Sequence, residues 1–137
     1  MTRIEFCNHL RELRLQSEVK VKDISFKMNM LPAEIYNIER AKNNFNIFLI
    51  YNYISSINYK FSIQKENQIV ILNTKELVSS WIQQLVNEYG SKSNVAKMSN
   101  IQRITVSNLI NCKTSLSIEV FLRMVDAFGY EIKIEQI

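Results

Sequence analysis

Four basic side chains follow one another in the second half of the sequence without an intervening acid. No Asp or Glu occurs between Glu88 and Glu119. The basic residues of this interval are Lys92, Lys97, Arg103 and Lys113. Clustered positive charge is the electrostatic footprint of a surface that binds phosphate groups. The alternative interpretation is an ordinary solvated face. The net charge of +4 for the whole chain agrees with an anionic partner but says less than the clustering.

The basic interval belongs to the second of two similar halves of the chain. Ile24 corresponds to Val95. When the sequence is shifted against itself by the separation of these two residues, which we call the repeat offset, apolar positions align with apolar positions without a gap. Further pairs at the repeat offset are Asn29/Asn100, Ile35/Val106, Ile38/Leu109, Lys42/Lys113, Ile47/Ile118, Tyr59/Tyr130 and Ile63/Ile134. Two tandem modules therefore explain the chain better than one larger fold. We place the first module at residues 1–73 and the second at 74–137.

The spacing of apolar residues predicts that each module is mostly helical and ends in a strand. Ile4, Leu10 and Leu13 recur at helical spacing in the first predicted helix. Alternation with a period of two then predicts strands. The predicted strands are residues 59–64, 68–72 and 130–136. We expect them to form one small sheet, because an isolated two-stranded hairpin is not stable. The C-terminal strand completes that sheet either within the same chain or in a partner chain.

Turn residues mark where the helices end. Asn29 and Asn100 fall between the second and third helices of their modules, at a turn that needs a positive φ. Asn58 and Gly129 close the last helix of each module, and both residue types tolerate the left-handed conformation. Each module therefore contains short helices joined by tight turns, which is the helix-turn-helix plan.

These residues resemble the Xre/Cro family, which includes the lambda-type phage repressors. The family pattern is Leu-Ala-x-x-Leu-Gly-Val-Ser-x-x-x-Ile-Ser-x-Ile-Glu-x-Gly-Lys. The first module is similar to it at Ile24, Ser25, Met28, Asn29, Met30, Ile35, Ile38, Glu39, Ala41 and Lys42. The second module is similar at Val95, Ala96, Asn100, Ile101, Val106, Ser107, Leu109, Cys112 and Lys113. The resemblance implies two lambda-repressor-like modules and sequence-specific binding of double-stranded DNA in transcriptional control.

Two places in the alignment differ between the modules in a coupled way. In the family, an Arg of the first helix pairs with the Glu that follows the third-helix isoleucine, and Arg14 and Glu39 occupy these places. The second module has Leu85 and Ile110 instead. A buried ion pair is often replaced by apolar residues without loss, whereas changing one partner alone is costly. The coupled change supports the alignment.

The resemblance also implies which side chains contact DNA, mainly in the second module. The base-reading residues are Gln102, Arg103, Ile104, Thr105 and Asn108. The phosphate-binding residues are Ser91, Lys92, Asn111 and Lys113, together with Arg40 and Lys42 of the first module. Arg binds guanine and Asn binds adenine through paired hydrogen bonds, whereas Ile suits a thymine methyl group.

The corresponding surface of the first module is less suited to DNA. Its third helix starts with Leu31-Pro32-Ala33-Glu34, and Val21 stands where the second module has Lys92. Val21 and the Leu31-Pro32 pair are more typical of a surface that contacts protein. We therefore expect the second module to be the main reader of DNA, with the first serving oligomerisation or weak DNA contact.

The remaining composition argues against other classes of protein. His9 is the only histidine, and Cys7 and Cys112 are too few and too distant for a disulfide framework or zinc site. We predict no enzyme activity, no cofactor or metal, no membrane segment and a cytoplasmic location. The expected partner is double-stranded DNA, bound by a homodimer because an operator with two half-sites needs two recognition helices. The alternative is a helix-turn-helix-derived protein-interaction module of antitoxin-like or anti-repressor type.

Overall fold

The computed structural model describes residues 1–137 and contains eight helices and three strands. The first module comprises α1 (Arg3–Gln16), α2 (Val21–Met28), α3 (Pro32–Glu39), α4 (Ile47–Ser56), β1 (Tyr59–Lys65) and β2 (Gln68–Val70). The second comprises α5 (Lys75–Tyr89), α6 (Lys92–Ser99), α7 (Arg103–Ile110), α8 (Ile118–Phe128) and β3 (Glu131–Gln136). The prediction of a mostly helical chain with a small sheet is confirmed. No helix has the length and apolar character needed to cross a membrane.

Side-chain caps fix where five of the helices begin. A hydroxyl or amide oxygen at the N-cap accepts a hydrogen bond from a backbone N–H in the first turn, which would otherwise lack a partner. The five capping residues are Thr2, Asn46, Thr74, Ser91 and Ser117. Asn46 and Ser117 cap α4 and α8, which occupy equivalent places in the two modules. The starts of these five helices therefore follow from short-range sequence.

Positive φ angles occur at equivalent turns of both modules. Asn29 has a φ of 54° and Asn100 a φ of 55°, as the sequence predicts for the turn before the third helix. Ala41 and Cys112 also have positive φ, 54° and 57°, at the places where the family pattern has Gly. A left-handed conformation costs a residue with a Cβ roughly 1–2 kcal/mol. Both modules accept this cost at the end of their third helix.

The three strands form one antiparallel sheet in the order β2-β1-β3, so the C-terminal strand pairs within its own chain. Two strands are shorter than predicted. Leu72 is outside β2 because its N–H donates to the Tyr51 hydroxyl at 2.8 Å rather than to a neighbouring strand. Tyr130 precedes β3 because its N–H donates to the carbonyl of Val125 at 3.0 Å, which closes α8.

The two modules share a single hydrophobic core. Thirty-one buried residues from both modules form one cluster. Phe61 of β1 packs against both modules, with its ring centroid 5.8 Å from that of Phe6 and 5.7 Å from that of Phe121 in α8. Of the three apolar residues at helical spacing in α1, Ile4 is 67% exposed, whereas Phe6, which is not one of the three, is fully buried. Helical spacing identified the right helix but misplaced part of its buried face.

Candidate nucleic-acid interface

The start of α7 is the most exposed part of the predicted reading surface. Gln102 is the N-cap residue and its side chain makes no capping hydrogen bond, so its amide is free for an external partner. Arg103 is exposed, and Ile104 is exposed over 59% of its surface. An amide, a guanidinium and an apolar side chain therefore stand next to each other at a helix N-terminus.

The other two predicted base-reading residues lie lower on α7. Thr105 and Asn108 are half-buried and line a shallow cavity of about 230 Å³ between α7 and the N-terminus of α8. Gln102 and Thr105 line a second cavity together. The five residues thus divide into an exposed tip and a concave wall. The tip suits contact with base edges, whereas the wall suits positioning against a sugar or phosphate.

The predicted phosphate-binding residues flank α7 on both sides. The Ser91 hydroxyl accepts a hydrogen bond from the N–H of Asn94 at 3.0 Å, and Lys92 follows as the first residue of α6. Asn111 and Lys113 are exposed beyond the other end of α7. The N–H of Lys113 donates to the carbonyl of Asn108 at 2.9 Å, which fixes the backbone that carries this lysine.

The basic side chains of this surface are free of internal partners. None of Lys92, Lys97, Arg103 and Lys113 lies within salt-bridge distance of a carboxylate. Because no carboxylate of the chain pairs with them, their positive charge adds to the electrostatic potential at this surface. An anionic partner would gain from all four.

A fifth basic residue, Arg123 of α8, was missed by sequence reasoning. Its guanidinium donates to the carbonyl of Asn100 at 3.2 Å, and its side chain lines the same cavity as Gln102. It was overlooked because it lies outside the acid-free interval, between Glu119 and Asp126 in sequence. Glu119 is itself neutralised by Arg3 of the first module at 3.0 Å. The charge of Arg123 therefore adds to the basic surface of the second module.

The equivalent surface of the first module is apolar and acidic. Leu31, Pro32, Ala33 and Glu34 are all exposed at the start of α3. Val21 is only 6% exposed and belongs to the core, so the prediction that it contributes to a protein-contact surface is wrong. The position is buried because α2 turns this residue towards Ile24 and the shared cluster.

Some features of the first module nevertheless match the second. Arg40 and Lys42 are exposed after α3, and the Arg40 guanidinium lies 5.6 Å from the centre of the Tyr36 ring. The N–H of Lys42 donates to the carbonyl of Asn37 at 3.0 Å, which repeats the Lys113–Asn108 contact. Sequence reasoning missed Phe26 of α2, which is 87% exposed and stands where the second module has Lys97.

Arg14 and Glu39 form a buried ion pair that joins α1 to α3. The Arg14 Nε donates to Glu39 Oε2 at 2.6 Å, and Nη2 donates to Oε1 at 3.0 Å. The Tyr53 hydroxyl of α4 donates to the same Oε2 at 2.5 Å. Burial, followed by its bond to Glu39, raises the pKa of Tyr53, while the bond to Glu39 raises the pKa of Arg14. Three helices are thereby held by one charged network.

The second module replaces this whole network with apolar side chains. Leu85 and Met124 are fully buried and Ile110 packs partly buried against the core, at the positions equivalent to Arg14, Tyr53 and Glu39. The third member, Tyr53, was not found from sequence because it lies in an apolar helix. The coupled exchange therefore involves a set of three positions rather than a pair.

Comparison of the chain with protein-family models, with curated proteins and with solved structures finds no match. The resemblance to the Xre/Cro family accordingly rests on the residues of this sequence and stays a prediction. No group of three or more His, Cys, Asp or Glu side chains is placed to hold a metal ion.

Proposed function

We propose that this protein binds double-stranded DNA in a sequence-specific manner to regulate transcription, with the second module as the main reader. The observation that carries the proposal is the unpaired basic surface around the exposed start of α7. Recognition needs a helix whose first residues reach base edges and basic groups that hold the flanking phosphates. Gln102, Arg103 and Ile104 supply the first requirement, and Lys92 and Lys113 supply the second.

The roles follow from the chemistry of each side chain. Arg103 donates two hydrogen bonds to guanine, Gln102 hydrogen-bonds a neighbouring base and Ile104 contacts a thymine methyl group. Lys92, Lys113 and Arg123 neutralise phosphates on either side of the groove. The N-terminus of α7 adds its N–H groups and dipole to the binding of an anion. None of these roles needs a cofactor or a covalent step.

The test is binding to random-sequence duplex DNA at several salt concentrations. We expect the logarithm of the binding constant to fall linearly with the logarithm of the salt concentration. Lys92→Ala and Lys113→Ala should each reduce that slope by about 0.9, because each removes one phosphate contact. Arg11→Ala, which removes an exposed charge of α1 in the first module, is the matched control and should leave the slope unchanged. Absence of salt-sensitive binding by the wild-type protein would refute the proposal.

A second candidate is a protein-interaction module of antitoxin-like or anti-repressor type. The observation in its favour is the exposed apolar surface of the first module, where Phe26 is 87% and Leu31 is 66% exposed. Scattered exposed apolar residues are common, so this surface weighs less than the unpaired charge of the second module. A stoichiometric partner that protects Phe26 from solvent and leaves Arg103 accessible would support a dual role.

The number of chains per DNA site is a separate matter. A homodimer supplies two recognition helices to an operator with two half-sites, and this expectation from the sequence stays a prediction. Under this proposal, α3 and α7 of a single chain are an alternative source of two recognition helices.

A further inference from the structure

The contacts that join the two modules have two-fold symmetry. Asn46 and Ser117, which are separated by the repeat offset, face each other in an antiparallel bridge. The N–H of Ile47 donates to the carbonyl of Leu116 at 2.7 Å, and the N–H of Ile118 donates to the carbonyl of Phe45 at 2.8 Å. Ile47 is equivalent to Ile118 at the repeat offset, and Phe45 is equivalent to Leu116. The two hydrogen bonds are therefore the same contact, made once in each direction. The N-termini of α4 and α8 therefore meet on an internal pseudo-two-fold axis.

The pairing of β1 with β3 obeys the same symmetry. Ser62 pairs with Lys133, which is its own equivalent at the repeat offset. Phe61 pairs with Ile134 and Ile63 with Ile132, and exchanging the modules converts either pair into the other. Two independent contacts thus share one axis. This is the property of an isologous interface, in which the same patch of two identical subunits meets itself.

The internal interface has therefore the form of a dimer contact between two modules of one chain. The 31-residue core extends across it, so the modules are held in a fixed relation rather than joined by a flexible linker. Because each module has the same order of helices, α3 and α7 are equivalent about the axis. A single chain consequently presents two recognition helices in a symmetric arrangement.

After the third helix, the symmetry is kept at the lysine that would bind phosphate, whereas it is lost at Lys92, whose equivalent Val21 is buried, and at the residues that would read bases. Asn37 and Asn108 are identical, as are Lys42 and Lys113, and the hydrogen bonds between these pairs are the same in both modules. The first residues of the two helices differ at every position. Leu31-Pro32-Ala33-Glu34 of the first module stands against Gln102-Arg103-Ile104-Thr105 of the second.

We propose that one chain occupies one DNA site as a monomer, with α7 over one half-site and α3 over a second half-site of different sequence. This inference rests on the proposed function. Lys42 and Lys113 anchor the two halves to phosphates, while the unlike helix starts read unlike bases. The Glu34 carboxylate selects a cytosine by accepting a hydrogen bond from its exocyclic amine, and Arg103 selects a guanine. The target is a non-palindromic duplex.

The first experiment selects bound duplexes from a random-sequence library and measures the mass of the resulting complex by native mass spectrometry. We expect one chain per duplex and two unlike sequence elements within each selected site. Two chains on an inverted repeat would overturn the inference while leaving the proposed function intact. A single short element would also overturn it. Failure to bind any duplex at low salt would instead refute the proposed function itself.

The second experiment restores the lost symmetry. Leu31→Gln, Pro32→Arg, Ala33→Ile and Glu34→Thr together give α3 the same first residues as α7. The selected site should then become an inverted repeat, still bound by one chain. The matched control makes the reverse change in α7, with Gln102→Leu, Arg103→Pro, Ile104→Ala and Thr105→Glu. An unchanged selected site with the first variant would contradict a reading role for α3.

A third experiment substitutes single exposed lysines and leaves the first residues of α3 and α7 unchanged. Lys42→Ala and Lys113→Ala should each lower the slope of log binding constant against log salt concentration by about 0.9 on the selected duplex. A change with Lys113→Ala but none with Lys42→Ala would show that only the second module contacts DNA, and the inference would fail. Circular dichroism confirms that each variant keeps its helices.

Discussion

The two modules have the same backbone plan, yet they are stabilised differently inside and present different chemistry outside. The first holds α1, α3 and α4 together with Arg14, Glu39 and Tyr53, whereas the second uses Leu85, Ile110 and Met124. On the surface, the first has an apolar and acidic helix start and the second a polar and basic one. The comparison teaches that the same backbone plan tolerates either kind of interior, so the chemistry of the surface varies independently of the way the interior is stabilised.

The sharpest test of that comparison removes one member of the charged network. Glu39→Ala leaves the guanidinium of Arg14 buried without its carboxylate, and we expect the free energy of unfolding to fall by about 3–5 kcal/mol. Urea titrations measure the change. The matched control is the triple variant Arg14→Leu, Glu39→Ile and Tyr53→Met, which copies the second module and should be neutral or stabilising. Equal destabilisation of both variants would show that the apolar side chains of the second module cannot replace the charged network of the first.

The next test addresses the difference at the surface. Arg103→Ala should weaken binding to the selected DNA site by about 1–3 kcal/mol and relax the preference at one base pair, because the bidentate contact to guanine is lost. Titration of duplexes with each base at that position gives the measurement. Arg11→Ala is again the matched control. If Arg103→Ala weakens all sequences equally, Arg103 binds phosphate rather than a base.

Alkaline pH should act on the first module in particular. Burial and Glu39 raise the pKa of Tyr53, so above the ordinary value of about 10 the unfolded chain loses a proton that the folded chain keeps. The free energy of unfolding therefore falls as pH rises, by up to about 1.4 kcal/mol per pH unit. Tyr53→Phe should make this fall shallower between about pH 10 and 11.

Two other groups contribute to the same pH dependence and remain in that variant. Burial raises the pKa of Tyr51 to about 12 and that of Cys7 to about 11. A residual alkaline loss of stability is therefore expected after Tyr53→Phe. An identical slope in the variant and the wild type would mean that Tyr53 ionises as readily in the folded chain as in the unfolded one.

The smallest expected effect concerns a feature that the modules share. Ala41 and Cys112 have positive φ angles, which glycine adopts without steric cost. Ala41→Gly and Cys112→Gly should each raise the free energy of unfolding by about 0.5–1 kcal/mol, since relief of strain exceeds the entropy cost of glycine. Thermal unfolding of the two variants measures this. Destabilisation of only one of them would reveal a packing role for the lost side chain.

Short-range signals made much of this fold predictable. The capping residues and the Asn turns depend on neighbours within a few positions, and the gapless repeat can be read by aligning the chain with itself. The ends of β2 and β3 were not predictable, because Leu72 and Tyr130 donate their N–H groups to partners outside the sheet. The pairing of β3 with β1 was not predictable from local sequence either, because it joins strands of different modules.

In the candidate site, too, features set by local sequence were predictable and features set by long-range contacts were not. The exposed start of α7 and the basic interval could be predicted, since they follow from helix position and residue type. Arg123 and Tyr53 could not be, because each acts across elements distant in sequence. Val21 was misjudged for the opposite reason, since its position was compared with Lys92 by alignment although its burial differs.

The continuous core has a consequence for how the protein would respond to a bound partner. Because one cluster of buried residues spans both modules, neither module can open widely without exposing part of the other. DNA bound at α7 alone would therefore also stabilise α3, α4 and β1 against local unfolding. The size of this stabilisation would depend on the DNA concentration relative to its dissociation constant. Under the proposed function, binding of DNA to one module would thus also stabilise the other. A small tandem protein obtains linkage between its halves in this way without any change of shape.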